Sequence, residues 1–108
     1  MKKIASLKAI QERVDEWINS HGGYWPPLSM LASIMEEVGE LSREINHLEG
    51  FKPKKESERP SDLGGELADL LFSIICVANH YDLDLTENFH GVLEKYTERD
   101  SKRFTSEP

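Results

Sequence analysis

Four stretches of this chain repeat their apolar residues every three or four positions, and none alternates them convincingly every second position, so the spacing predicts helices and no sheet. The first stretch runs from about Ile4 to Ser20, with Ile4, Leu7, Ile10, Val14, Trp17 and Ile18 in register. "HGGYWPP" (21–27) breaks it: Gly22 and Gly23 are a stop signal, and Pro27 is tolerated in the first turn of a following helix. The second runs from about Leu28 to Leu48 and stops at Gly50; the third, from about Asp62 to His80, is the most apolar. A charged loop with two prolines, "GFKPKKESERPS" (50–61), separates them. "YDLDL" (81–85) leads to a fourth helix that Asp84 and Glu87 are spaced to cap and that ends near Phe104, leaving "TSEP" to fray. The expected fold is an all-α four-helix bundle, one domain over 1–108 with its core at about 4–104.

The third helix is apolar nearly all round and needs cover on several sides. Four short helices in 108 residues supply little of it, so we expect a homodimer or a dimer of dimers (a homotetramer). A formal net charge of -7 argues against nucleic acid as a partner, since phosphate binding needs a basic face. It is compatible with carboxylates that hold a cation. Cys76 is the single cysteine, which excludes an intrachain disulfide framework and points to a reducing compartment, read here as cytoplasmic. The sequence reads as having no spanning helix and no secretory segment after Met1, so no membrane is expected as a partner.

Placing the second helix on a wheel of about 100° per residue divides its acids. With Glu37 at zero, Met30, Leu48, Leu41, Ile34, Ile45, Val38, Leu31 and Met35 fill an arc from roughly 20° to 160°. Glu37 borders that arc, Glu44 falls near 340°, Glu40 near 300° and Glu36 near 260°, on the far side. Glu37 and then Glu40 are expected to look along the core edge, Glu36 to face solvent or a partner chain, and Glu44 stays undecided. Glu66 and Asp69 lie on the narrow polar stripe of the third helix. Each helix thus carries two acids one turn apart, and antiparallel packing would converge four carboxylates. Such a cluster repels itself unless protonated or paired with a hard cation that prefers oxygen ligands, such as Mg²⁺. A solvated acidic face is the ordinary alternative. Gly39, costly in a helix interior by about 1 kcal/mol, suggests a point where a neighbouring helix comes close.

These residues resemble a known motif. "EEVGE" (Glu36, Glu37, Glu40) followed by "ELAD" (Glu66, Asp69) is similar to the EExxE…ExxD signature of the MazG-like nucleoside triphosphate pyrophosphohydrolases, in the all-α NTP pyrophosphatase superfamily. "GYWPPLSMLA", "NHLEG" and "ANHYDLDL" extend the likeness to roughly residues 7–104. The resemblance implies Mg²⁺-dependent hydrolysis of nucleoside triphosphates, often deoxynucleotides, to monophosphate and pyrophosphate, with Mn²⁺ as a substitute ion. It carries the metal and catalytic roles to Glu37, Glu40, Glu66 and Asp69, with Glu36 less clearly a ligand. It also implies basic phosphate contacts on the last helix. Here the chain reads "RDSKRF", which nominates Arg99 and Arg103, with Lys95 one turn upstream. Asp100 stands where the family often has asparagine, and could hold metal, orient Arg103 or alter nucleotide contacts. The same cations would equally complement a helix C-terminus.

Other residues have two readings each. Tyr24 and Trp25 could stack on a nucleobase or staple a helix start. Asn79 could reach a substrate or cap its helix. Lys52, Lys54 and Lys55 could meet phosphates or simply be solvated. Trp17 and Cys76 read as core. Two further functions fit parts of the pattern. A di-iron carboxylate bundle needs Glu-x-x-His pairs, and Glu44…His47 and Glu87…His90 have that spacing, although His90 projects away from the core side of Phe89, Val92, Leu93 and Tyr96. A non-catalytic module would use the apolar third helix to bind a partner.

Overall fold

A computed structural model describes residues 6–50 and 60–100. Lys52, Lys54, Lys55, Arg103, Phe104 and Ile4 lie outside the described residues. Four helices follow one another: α1 (Leu7–Ser20), α2 (Pro27–Leu48), α3 (Leu63–His80) and α4 (Leu85–Asp100). No strand occurs among the described residues.

Local chemistry sets the boundaries. Ser6 Oγ accepts from the Ala9 N–H (3.1 Å) and caps α1. α1 ends where Gly22 and Gly23 take φ of 106° and 88°, and the Gly23 N–H returns to the Ile18 carbonyl (2.9 Å). Pro27 occupies the first position of α2, where no intrahelical N–H is needed. Asp62, expected as the first helical residue, is instead the cap of α3: its carboxylate accepts from the Gly65 N–H (2.9 Å). Asp84 likewise accepts from the Thr86 N–H (2.9 Å) at the start of α4.

α3 is the centre of the fold, packed chiefly against α2 and also against α1, while α4 rests on α1. Among the described residues, Met30, Ile75, Cys76 and Ala78 are the buried apolar ones. A second, polar anchor joins α1, α3 and the turn into α4. Buried Gln11 donates through Nε2 to Asn79 Oδ1 (2.9 Å) and the Leu83 carbonyl (2.8 Å), and its Oε1 accepts from the Leu85 N–H (2.9 Å). Asn79 Nδ2 donates to the Gln11 carbonyl (3.0 Å) and to Tyr24 Oη (3.0 Å), and Tyr24 donates to Asp15 (2.6 Å).

Several expectations need correction. α3, at 18 residues and a mean hydropathy of 1.2, is long and apolar enough to cross a membrane by length and composition. That measure is also met by the core helix of a soluble protein, and α3 is the central helix of this bundle. Gly39 is no close-packing point among the described residues: a Cβ built there meets nothing within 4 Å. Trp17 is not core; it is 52% exposed, because its side of the α1 stripe faces an open groove. On α4, Phe89, Val92, Leu93 and Tyr96 remain exposed, as do Leu31, Met35, Val38 and Ile45 on α2 and Leu67, Leu71 and Ile74 on α3. Only part of each predicted apolar arc is covered by the chain's own helices.

Candidate metal centre

α2 and α3 bring three of the four nominated acids together. One carboxylate oxygen each from Glu37, Glu66 and Asp69 lies within 4.8 Å of the others. Glu37 and Glu66 are half-buried and Asp69 is exposed. Partial burial, followed by the charges of Glu37, Asp69, Glu40 and Glu44, raises the Glu66 carboxyl above its ordinary value. An unneutralised cluster behaves in this way, and an oxygen-only donor set of two or three carboxylates suits a hard divalent ion. The residues present therefore fit Mg²⁺.

Glu40 stands beside the trio. It contributes to the field on Glu66 and pairs with Arg43 one turn away (3.9 Å), an exposed contact of little energetic weight. Glu36 is exposed on the outer face. Glu44 is the most buried acid of α2, 7% exposed, and accepts from the Asp62 N–H (3.2 Å). It thus ties the end of α2 to the start of α3. The wheel had placed it only about 20° from Glu37, closer to the core than Glu40. That angle was the available signal for its burial.

Beside Glu37 and Asp69 opens a cavity of about 480 Å³ between α1, α2 and α3. Trp17, His21 and Phe72 form an aromatic wall: Trp17 stacks on His21 (centroids 4.0 Å apart, 18° between planes) and meets Phe72 edge-on at 5.9 Å. Tyr24 and Trp25 lie along the rim, Trp25 being 64% exposed, and Met30 and Cys76 help to line it. Sequence reasoning placed Trp25 near a ligand but missed Trp17 and His21. Their i, i+4 spacing at the end of α1 was the cue, and it reads as a site only once α3 is in place.

The nominated cations stand elsewhere. Lys95 and Arg99 are on exposed α4 and do not line this cavity. Both lie over the Tyr96 ring, at 5.6 and 4.7 Å, and Arg99 makes a two-point contact with Asp100 (2.8 and 2.6 Å). Asp100 therefore orients Arg99; Arg103, which the sequence suggests as its partner, lies outside the described residues. Both amide hydrogens of Asn79 are donated within the chain, to Gln11 and Tyr24, so Asn79 serves the fold in this structure. Among the described residues no histidine joins a cluster with metal-ligand spacing, so neither Glu-x-x-His pair forms the centre that a di-iron bundle requires.

Residues 26–104 match the MazG nucleotide pyrophosphohydrolase domain family. The chain belongs to that family. This MazG domain is accordingly a nucleotide pyrophosphohydrolase, which sets aside the non-catalytic reading. It is 43% identical over 101 residues to the uncharacterised protein YpjD of Bacillus subtilis, covering 93% of this chain and 91% of YpjD. The crystal structure of YpjD, described there as a candidate pyrophosphatase, superposes with a TM-score of 0.77 at 41% identity over 89% of this chain and 98% of that one. A Bacillus-conserved MazG protein, described as a nucleotide pyrophosphohydrolase, superposes with a TM-score of 0.74 at 35% identity, over 88% of this chain and 93% of that one.

Proposed function

We propose that this protein hydrolyses nucleoside triphosphates, with deoxynucleotides or non-canonical nucleotides as the substrate class, to the monophosphate and pyrophosphate in a Mg²⁺-dependent reaction. The observation that carries this reading is the convergence of Glu37, Glu66 and Asp69 at one end of an aromatic cavity. Glu37, Glu40, Glu66 and Asp69 hold the ion, and Mn²⁺ substitutes for it. When bound, the ion neutralises phosphate oxygens and lowers the pKa of water. The carboxylates fix where the triphosphate lies, and one of them takes the proton of the attacking water. The water oxygen bonds to the α-phosphorus, the α–β bridging bond breaks, and pyrophosphate departs. Trp25 covers the nucleobase; Lys95, Arg99 and Arg103 are the cations proposed for phosphate contact, Lys95 and Arg99 from positions on α4 outside the cavity lining.

The exposed apolar residues of α2, α3 and α4 support a homodimer or a homotetramer, since monomers rarely leave so many large apolar side chains in water. We place the protein in the cytoplasm, with neither nucleic acid nor membrane as a partner. Pyrophosphate release from a panel of NTPs and dNTPs, with and without Mg²⁺, tests the reading. Glu37→Gln and Glu66→Gln should each abolish turnover while retaining the helical fold, and wild-type rates in both would refute the assignment.

A further inference from the structure

Resting on the pyrophosphohydrolase reading, we infer that Ser33 and Ser73 form a sugar-reading pair that recognises a ribose hydroxyl of the nucleotide. Their position follows from helix geometry. Ser33 lies one turn before Glu37 on α2, and Ser73 one turn after Asp69 on α3. The two hydroxyls face each other across the helices at 3.3 Å, and both line the cavity beside the acids. Another turn along, at Met30 and Cys76, the lining becomes apolar. The cavity is therefore graded: carboxylates at one level, hydroxyls about 6 Å further along, then an apolar end. A nucleotide has the same order of chemistry, with metal-bound phosphate, hydroxyl-bearing sugar and flat base.

The hydrogen-bond inventory of the pair favours a ligand. A serine hydroxyl has one donor and two acceptor positions. Among the described residues each hydroxyl bonds only the other, and a single hydrogen serves that contact. One O–H donor and several lone pairs therefore remain, at half-buried positions within the cavity. A sugar hydroxyl satisfies both needs, accepting from one serine while donating to the other. A site built to bond a hydroxyl discriminates against the analogue that lacks it, because its own polar groups are then left unpaired.

The test uses full-length protein with saturating Mg²⁺ and triphosphates that share one base: the ribonucleotide, the 2′-deoxynucleotide and the 2′,3′-dideoxynucleotide. The first pair of substrates reports the 2′-hydroxyl and the second the 3′-hydroxyl. Wild-type kcat/KM should favour the hydroxyl-bearing member of at least one pair by roughly three- to tenfold, the scale of a neutral hydrogen bond. Ser33→Ala and Ser73→Ala, both favourable helix substitutions, should bring that ratio close to one while circular dichroism stays unchanged. A pair that merely linked the helices would lower stability and leave the ratio alone. Ratios unchanged from wild type in both variants would overturn this inference by itself. Wild-type protein that releases no pyrophosphate from any nucleotide would overturn the pyrophosphohydrolase reading and this inference with it.

Discussion

Replacing Gln11 with leucine isolates the polar anchor of the fold. The two side chains are similar in size and both are good helix formers, so the change removes hydrogen bonds with little else. Gln11 is 6% exposed and makes three side-chain bonds, to Asn79 Oδ1, to the Leu83 carbonyl and from the Leu85 N–H. Leucine leaves all three partners without that bond, at about 1 kcal/mol each. Greater apolar burial returns about 1 kcal/mol, for a net loss of about 2 kcal/mol. For a domain of this length that lowers Tm by about 8 °C. Urea unfolding followed by circular dichroism, at one fixed protein concentration because association shifts apparent stability, gives the number. Stability within a few tenths of a kcal/mol of wild type would refute the idea that this network holds α1, α3 and the start of α4 together.

The Tyr24 phenol, pushed up to about 12 chiefly by burial and then by its bond to Asp15, should give no phenolate absorbance in a wild-type minus Tyr24→Phe difference titration until pH nears that value. Its folded pKa lies above its ordinary value of 10, so the stability it contributes is complete below 10 and is lost between 10 and about 12. The Glu66 carboxyl is raised, so without metal the folded state holds its proton more tightly than the unfolded state. Apo stability should therefore fall as pH rises from the ordinary value of 4.5 through the raised one, and Glu66→Gln should flatten that slope in a pH series of thermal melts. Mg²⁺ at neutral pH should raise the wild-type Tm by several degrees and that of Glu37→Gln by much less, in a thermal shift assay. Trp25→Ala should raise KM several-fold with little change in kcat, since an exposed rim residue contributes mainly to binding.

The helices were legible because each is marked twice, by apolar spacing and by punctuation. Gly22–Gly23, Pro27, Gly50 and the Asp84 cap all fall at observed ends. The acids of the centre were legible because Glu37 borders one apolar arc and Glu66 and Asp69 interrupt another. What the pattern could not give was the extent of cover. A wheel shows which side of a helix is apolar, not whether a neighbour reaches it, and so Trp17 and the α4 residues read as core although they are exposed. Gln11 gave no signal at all: a lone glutamine on an amphipathic helix reads as solvated until the turn at Leu83 arrives from the other end of the chain. Asn79 had two readings from sequence, and only its partners, Gln11 and Tyr24, show what its amide does here.

In the proposed reaction Glu37 and Glu66 hold the ion on which phosphate-bond cleavage depends. The decisive assay is pyrophosphate release from the best nucleotide, measured against Mg²⁺ concentration for wild type, Glu37→Gln and Glu66→Gln. Wild type should show saturable Mg²⁺ dependence, and each variant should lose at least about a hundredfold, the scale of removing a key charge-stabilising group. Metal-independent release, or variants that match wild type at every Mg²⁺ concentration, would contradict that role.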